Sequence, residues 1–283
     1  MKKITNFSIG FIGLGLIGGS IAKSIRRIFP DTEIIGFDVD QNALSMALED
    51  NTLTKTVTAI EAMSECDYIF LCAPVHYNIA YLPILKRIMK PSCILTDVGS
   101  VKSDIYRAIG DNQLEDYFIG GHPMAGSEKT GLDNSKRHLI ENAYYVVTPT
   151  SKVSAEAVED YVEFIGSLKA LPLVLDYKQH DYITAAISHL PHLIAAGLVN
   201  LVKHNDSEEQ YMKKVAAGGF KDITRIASSS PIMWEQICVT NHENISELLG
   251  KYIESMQEIK DSLDSVCGQD IYDLFEESRD YRN

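Results

Sequence analysis

Phe7-Ser-Ile-Gly-Phe-Ile-Gly13-Leu-Gly15-Leu-Ile-Gly18-Gly-Ser20 decides the fold of the N-terminal half. A short apolar run with β-branched residues ends in a Gly-x-Gly-x-x-Gly turn, and apolar residues at helical spacing follow at once over 17–27. In a strand–turn–helix of this kind the first glycine permits the tight turn, the second lets the backbone approach a pyrophosphate, and the third lets helix and strand pack closely. The helix start then offers amide N–H groups and positive dipole charge to phosphates. Twenty residues after Gly18, Asp38 stands at the end of the next strand in Gly36-Phe-Asp38-Val-Asp40. A carboxylate there accepts a hydrogen bond from a ribose 2′-hydroxyl and repels a 2′-phosphate, so NAD is expected over NADP. The cofactor contacts expected from this segment are Gly13, Leu14, Gly15, Leu16, Ile17, Gly18 and Asp38.

Outward from the glycine turn, short apolar runs alternate with helical patterns, as in βαβ units around a parallel sheet. Strands are expected near Phe7–Ile12, Glu33–Asp38, Tyr68–Cys72, Ile94–Asp97, Phe118–Gly121, Tyr144–Thr148 and Leu171–Leu175, with helices over Ile17–Arg27, Asn42–Glu49, Asn78–Met89 and Val153–Ser167. Strand signals then stop. Helical periodicity runs through His180–Leu201, Tyr211–Ser228, Ile232–Thr240 and Asn244–Leu263, before a polar tail after Leu274. The expected class is α/β: a Rossmann-type, mostly parallel sheet with helices on both faces over 1–175, and an all-α domain over 176–283. The Asn244–Leu263 stripe of Ile245, Leu248, Leu249, Tyr252, Ile253, Met256, Ile259 and Leu263 is wide enough to bury one face, either in a core or against a second copy.

The 283 residues, 45% of them hydrophobic, suffice for two domains. A formal charge of −13 gives no attraction for nucleic acid or anionic lipid. No uninterrupted apolar run reaches the ~18 residues of a membrane span. Met1-Lys-Lys-Ile-Thr-Asn leads straight into the first strand without a signal-peptide core. Five cysteines, with no CxxC spacing, fit a reducing cytoplasm and no zinc site.

Ligands of an open α/β sheet bind beyond the carboxyl ends of its strands. Cys72-Ala73-Pro74 and Asp97-Val-Gly-Ser100-Val-Lys102 both end strands, which brings Ala73 and Pro74 toward the cofactor. Ser100 can cap a helix or touch a ligand there. Gly120-Gly-His122-Pro-Met-Ala-Gly-Ser127-Glu128 follows another strand end, so His122 is placed to act as a base near the nicotinamide. In the helical half, Ser188-His189-Leu-Pro191-His192 puts two histidines three apart on a helix that proline is expected to bend or break. Substrate binding and buried hydrogen-bonded histidines are equally good readings, and no third ligand supports a metal. Gly218-Gly-Phe-Lys221-Asp222-Ile-Thr-Arg225 is followed by Pro231-Ile-Met-Trp234. Asp222 can pair with Arg225, or Arg225 can fork onto a carboxylate ligand; Trp234 can wall a pocket or fill a core.

Together, GLGLIGGS at 13–20, DVGSVK at 97–102, GGHPMAGSE at 120–128, SHLPH at 188–192 and GGFKDITRIA through PIMW at 218–234 resemble the prephenate dehydrogenase family over nearly the whole chain. The resemblance implies NAD-dependent oxidative decarboxylation of prephenate to 4-hydroxyphenylpyruvate on the route to tyrosine. It implies His122 as the catalytic histidine with Ser100 beside it, and substrate contacts from Ser127, Glu128, His189, His192, Asp222 and Arg225. Within these, Glu128 and Asp222 would form an ionic network with Arg225, and Lys221 would add positive charge. It further implies a homodimer through the helical half and competitive inhibition by tyrosine. Arogenate dehydrogenase, with the same chemistry on an amino side chain, is the nearest alternative. A hydroxyacid dehydrogenase with a catalytic lysine fits SHLPH poorly, and a protein that only senses NAD leaves His122, Ser100 and Arg225 unexplained.

Overall fold

A computed structural model describes residues 7–127 and 129–283. The first half alternates β1 (Ser8–Ile12), α1 (Leu16–Ile28), β2 (Glu33–Phe37), α2 (Gln41–Glu49), β3 (Lys55–Thr56), β4 (Tyr68–Leu71), α3 (Val75–Ile88), β5 (Ile94–Asp97) and α4 (Ser103–Asp111). The strands form a five-stranded parallel sheet in the order β3-β2-β1-β4-β5. Then come β6 (Ile119–Pro123), β7 (Tyr144–Pro149), α5 (Ala155–Ser167), β8 (Leu171–Val174) and α6 (Tyr177–Thr184).

Alternation along the central strands explains why helices cover both faces. On β1, Ile9 and Phe11 join one core with Ile21 and Ile25 of α1 and Phe164 of α5. Ile12 points the other way, into a core with Ile69 and Leu71 of β4, Leu82 and Leu85 of α3, and Ile105 and Ile109 of α4. Each such fully buried side chain contributes roughly 1.5–3 kcal/mol.

All seven expected strands are present, but they do not share one sheet. β6, β7 and β8 form a separate three-stranded sheet, in which β6 runs antiparallel to β7 and β7 parallel to β8. Among the described residues between β6 and β7 there is one short 3₁₀ turn, Leu132–Asn134, and no crossover helix, and the chain returns antiparallel. One parallel bridge, Leu95 to Phe118, links β5 with the start of β6.

The remaining helices are α7 (Leu190–Asn205), α8 (Tyr211–Val215), α9 (Gly218–Thr224), α10 (Pro231–Thr240), α11 (His242–Asp264) and α12 (Gly268–Arg282). Chain contacts define two units, Met1–Thr184 with Ser228–Thr240, and Ala185–Ala227 with Asn241–Asn283. The division therefore falls later than the end of strand periodicity near 175, because α6 buries His180, Asp181 and Thr184 within the first unit. In the second unit α7 packs on α9 and α11, and α11 on α12.

Three expectations about the helices change. Pro191 does not break its helix; it sits in the first turn of α7, where its missing N–H costs nothing, after a π-helical turn over Ala185–His189. Tyr211–Ser228 is not one helix, since Gly218 and Gly219 open α9 after an extended Ala217 and a 3₁₀ turn, Arg225–Ser228, closes it. The polar tail is α12, supported on its exposed side by Gln269 to Asp273 at 2.7 Å and Arg279 to Glu276 at 3.5 Å. The helical run Tyr177–Asn205 is also long and apolar enough to cross a membrane by length and composition, with a mean hydropathy of 1.5 in its most apolar window. Its scattered polar residues hide it from a search for uninterrupted apolar runs.

Candidate active site

The glycine turn shows which of its glycines serve the fold and which is left for a ligand. Gly13 has φ +98, and a Cβ there would meet Ala73 N at 2.6 Å. At Gly18 a Cβ would meet Gly13 O at 2.5 Å and the Cys72 Cβ at 2.9 Å, so the start of α1 and the end of β4 touch. Gly15 is different: a Cβ there meets nothing within 4 Å. Packing does not require glycine at this position, whereas close backbone approach by a phosphate does. Gly15 is also the N-cap of α1 and supplies no side chain to its first N–H groups, and no acidic residue lies in the first turn. Asp38 holds the loop from the side: Leu14 N–H donates to its Oδ2 at 2.6 Å and Asp40 N–H to its Oδ1 at 2.8 Å. Leu16 and Ile17 open α1. Across the loop, Asn78 Nδ2 donates to Ala73 O at 2.7 Å, which fixes the turn into α3, whose N-cap is Pro74. These residues fit an NAD pyrophosphate on the α1 N-terminus and a ribose at Asp38.

Ser100 follows β5 on the same carboxyl edge. It does not cap α4: the N–H groups of Lys102 and Ser103 donate instead to Asp181 of α6, at 2.8 and 2.9 Å. His122 is the penultimate residue of β6 and does not follow its end, as the sequence suggests; it pairs in register with Val146 of β7. The neighbouring Gly121 N–H donates to Asp97 Oδ1 at 3.2 Å, so His122 lies just past the carboxyl end of β5. Beneath it, Lys102 is fully buried, with its Nζ 2.6 Å from Asp97 Oδ2 and 2.6 Å from Gly121 O. Burial pushes the Lys102 ammonium below its ordinary range, against the opposing attraction of Asp97. Ser127 is exposed, and its Oγ accepts from Lys129 N–H at 3.2 Å. Glu128 lies outside the described residues.

Two residues that the sequence reading passed over complete this cluster. His122 Nδ1 is 2.8 Å from His180 Nε2, and His180 Nδ1 is 2.8 Å from Asp181 Oδ1. Both are fully buried, and burial pushes the His180 imidazolium down, favouring the neutral ring. Burial alone would raise the Asp181 carboxyl; donors from His180, Ser103 and the Lys102 amide outweigh it and hold the group below its ordinary value. No sequence signal singles them out: in Tyr177-Lys-Gln-His180-Asp181-Tyr-Ile-Thr184 the polar residues look like an outer face, and only the fold shows that His180, Asp181 and Thr184 point inward.

In the second unit His189 is buried, with Nδ1 3.1 Å from Asn241 Nδ2 at the N-cap of α11, which fits the structural alternative for this histidine. His192 is partly exposed, and its Nδ1 donates to Ser188 O at 2.8 Å. Burial lowers its pKa, and the nearby Arg225 charge lowers it further, so a neutral ring stands beside a guanidinium. Arg225 follows α9, which carries the exposed Lys221 and Asp222. Among the described residues no three His, Cys, Asp or Glu side chains cluster as metal ligands.

A parallel sheet with a glycine turn, a carboxylate where a ribose fits and a histidine at its carboxyl edge defines an NAD-dependent oxidoreductase. Residues 21–173 match the family model for the prephenate dehydrogenase nucleotide-binding domain, and residues 176–277 that for the prephenate dehydrogenase dimerization domain. The chain belongs to the prephenate dehydrogenase family. It is 35% identical over 274 residues to the prephenate dehydrogenase of Bacillus subtilis, covering 96% of this chain and 74% of that protein. A crystal structure of prephenate dehydrogenase from Aquifex aeolicus, in complex with hydroxyphenyl propionate and NAD⁺, superposes with a TM-score of 0.92 at 30% identity over 99% of both chains. Synechocystis arogenate dehydrogenase gives 0.87 at 27% identity over 98% of this chain and 99% of that one.

Proposed function

We propose that His122 is the acid–base residue, and Ser100 its companion at the reacting hydroxyl, in the NAD-dependent oxidative decarboxylation of prephenate to 4-hydroxyphenylpyruvate, the reaction of the family to which the chain belongs. The observation that carries the assignment is the position of both residues on the carboxyl edge where the glycine turn opens, with His122 tied into a buried polar chain. NAD, held by the glycine turn and Asp38, would supply the hydride acceptor for C4 of the cyclohexadienol. His122 receives the hydroxyl proton as C4 becomes a carbonyl carbon. The ring carboxylate leaves as carbon dioxide, its C–C bonding pair enters the ring, and His122 returns the proton to the resulting phenolate. Aromatisation makes the second stage downhill.

In the helical unit, Arg225 binds a carboxylate of the dianion and His192 a polar group of the substrate, while Asp222 and Lys221 stand on the α9 that precedes Arg225; Ser127 and Glu128 are the further substrate contacts that the family resemblance implies. A local guanidinium reconciles a chain of charge −13 with an anionic substrate, because field at the site outweighs the total. Tyrosine, which shares the ring and side-chain skeleton, competes for the same place. The helical unit pairs two copies: Leu201, Tyr211, Val215, Ile253 and Leu263 are exposed in the single chain, and only 17% of the most apolar window of Tyr177–Asn205 is buried.

The test is NADH formation from prephenate and arogenate in parallel, with NAD and with NADP. Turnover of prephenate with NAD is expected; turnover of arogenate alone transfers the assignment to the amino substrate, and turnover of neither removes it. His122→Asn is expected to lower kcat by about 10²–10⁴-fold with KM little changed. Arg225→Gln is expected chiefly to raise KM. Exchanged phenotypes would reverse the two roles.

A further inference from the structure

Asp181 is surrounded by donors: Lys102 N–H at 2.8 Å, Ser103 N–H at 2.9 Å, Ser103 Oγ at 2.5 Å and His180 Nδ1 at 2.8 Å. A carboxylate in that position accepts from all of them, so His180 carries its proton on Nδ1. A neutral His180 then presents a lone pair at Nε2, and the ring nitrogen of His122 that lies 2.8 Å away, Nδ1, has to be the donor. The opposite arrangement needs His180 doubly protonated, with its added charge in a fully buried site that already holds the Lys102 ammonium.

We infer that His180 and Asp181 are positioning residues that lock His122 in its Nδ1–H tautomer, leaving Nε2 as the nitrogen that takes the substrate proton. This rests on His122 being the base. When Nε2 accepts that proton from the substrate oxygen, His122 becomes an imidazolium whose Nδ1–H already points at an acceptor, and Asp181 supplies the compensating charge two hydrogen bonds away. No proton needs to pass along the chain, and the same proton returns from Nε2 to the product oxygen. Among the described residues, the ionisable groups around the relay include Lys102, paired with Asp97, and the phenols of Tyr106 and Tyr145 beside Gly120 and Gly121.

The experiment is long-range ¹H–¹⁵N NMR of the histidines in the intact enzyme, with the pH profile of kcat for His180→Gln, His180→Phe and Asp181→Asn. In wild type, His122 is expected to show a protonated Nδ1 and an unprotonated Nε2. His180→Phe is expected to lose about 10–100-fold in kcat. Removing the acceptor disfavours the imidazolium, so the acid limb is expected to move down by about one pH unit. His180→Gln, whose side-chain oxygen can accept from Nδ1, is expected to recover part of both. A wild-type His122 protonated at Nε2 overturns the inference whether or not any variant folds. So does a folded His180→Phe with a lowered kcat but an unmoved acid limb. If His122→Asn keeps full activity, the assignment of the base fails instead, and the NMR tautomer still reports whether the relay exists.

Discussion

Replacing Lys102 by methionine removes one half of a fully buried ion pair while nearly conserving side-chain volume. Lys102 Nζ sits 2.6 Å from both Asp97 Oδ2 and Gly121 O, and Asp97 is itself only 2% exposed. After the substitution the Asp97 carboxylate keeps the N–H groups of Gly99 at 2.9 Å and Gly121 at 3.2 Å but has no countercharge, and Gly121 O loses a donor. Breaking such a pair from one side costs about 3–5 kcal/mol. The two remaining amide donors place the expected loss near the lower end, about 3–4 kcal/mol. For a unit of this size that corresponds to roughly 6–16 °C in Tm. Trp234 is the sole tryptophan and belongs to the first unit, so its fluorescence during thermal and urea unfolding reads the relevant transition. If an uncompensated charge is the cause, Lys102→Met with Asp97→Asn should regain at least about 1 kcal/mol over Lys102→Met alone. A single variant within about 1 kcal/mol of wild type, or a double variant with no recovery, would refute the reasoning.

The glycine turn gives a paired prediction. Gly15→Ala is expected to leave the melting temperature nearly unchanged and to weaken NAD binding in a direct titration, whereas Gly18→Ala, with its Cβ 2.5 Å from Gly13 O, is expected to lose about 1–3 kcal/mol of stability. Equal loss of stability in the two variants would contradict the division of labour among the glycines. Stability should also depend on pH through His180. Its folded pKa lies below the ordinary 6.5, so the unfolded chain binds the extra proton first, and stability falls as pH drops through 6.5 toward the folded value. His180→Gln is expected to flatten that part of the curve; an unchanged slope in urea titrations across pH 5–7 would count against a neutral buried His180.

Much of the first unit is legible in the sequence because local signals and tertiary placement agree there. The apolar runs at 7–12, 33–38 and 68–72 are central strands buried on both faces, and the glycine turn leads into α1 within a residue of the expected start. Agreement ends where structure depends on distant partners. His180 and Asp181 look like the polar side of a surface helix until the amide groups of Lys102 and Ser103, 79 and 78 positions away, take Asp181 as their cap. That remote cap also releases Ser100 from the commoner explanation for a serine at a helix start. β7 returns antiparallel to β6 where the described residues between them form no crossover helix, and strand periodicity carries no information on the direction of pairing. Conversely, α12 reads as a polar tail because its apolar side is short, with Ile271 and Leu274 half-buried, and the rest of its support is i,i+3 and i,i+4 pairing on the exposed side.

Asp38 carries a consequence for anyone wishing to change the coenzyme preference. The usual first step toward accepting a 2′-phosphate is to neutralise the acid at this position, but here the same carboxylate receives Leu14 N–H and Asp40 N–H. With the proposed ribose contact, discrimination and loop rigidity would share one side chain, so Asp38→Ala is expected to slacken the turn and to weaken binding of both coenzymes in a direct titration. A redesign for NADP has to rebuild an acceptor for Leu14 N–H before it adds a cation for the phosphate.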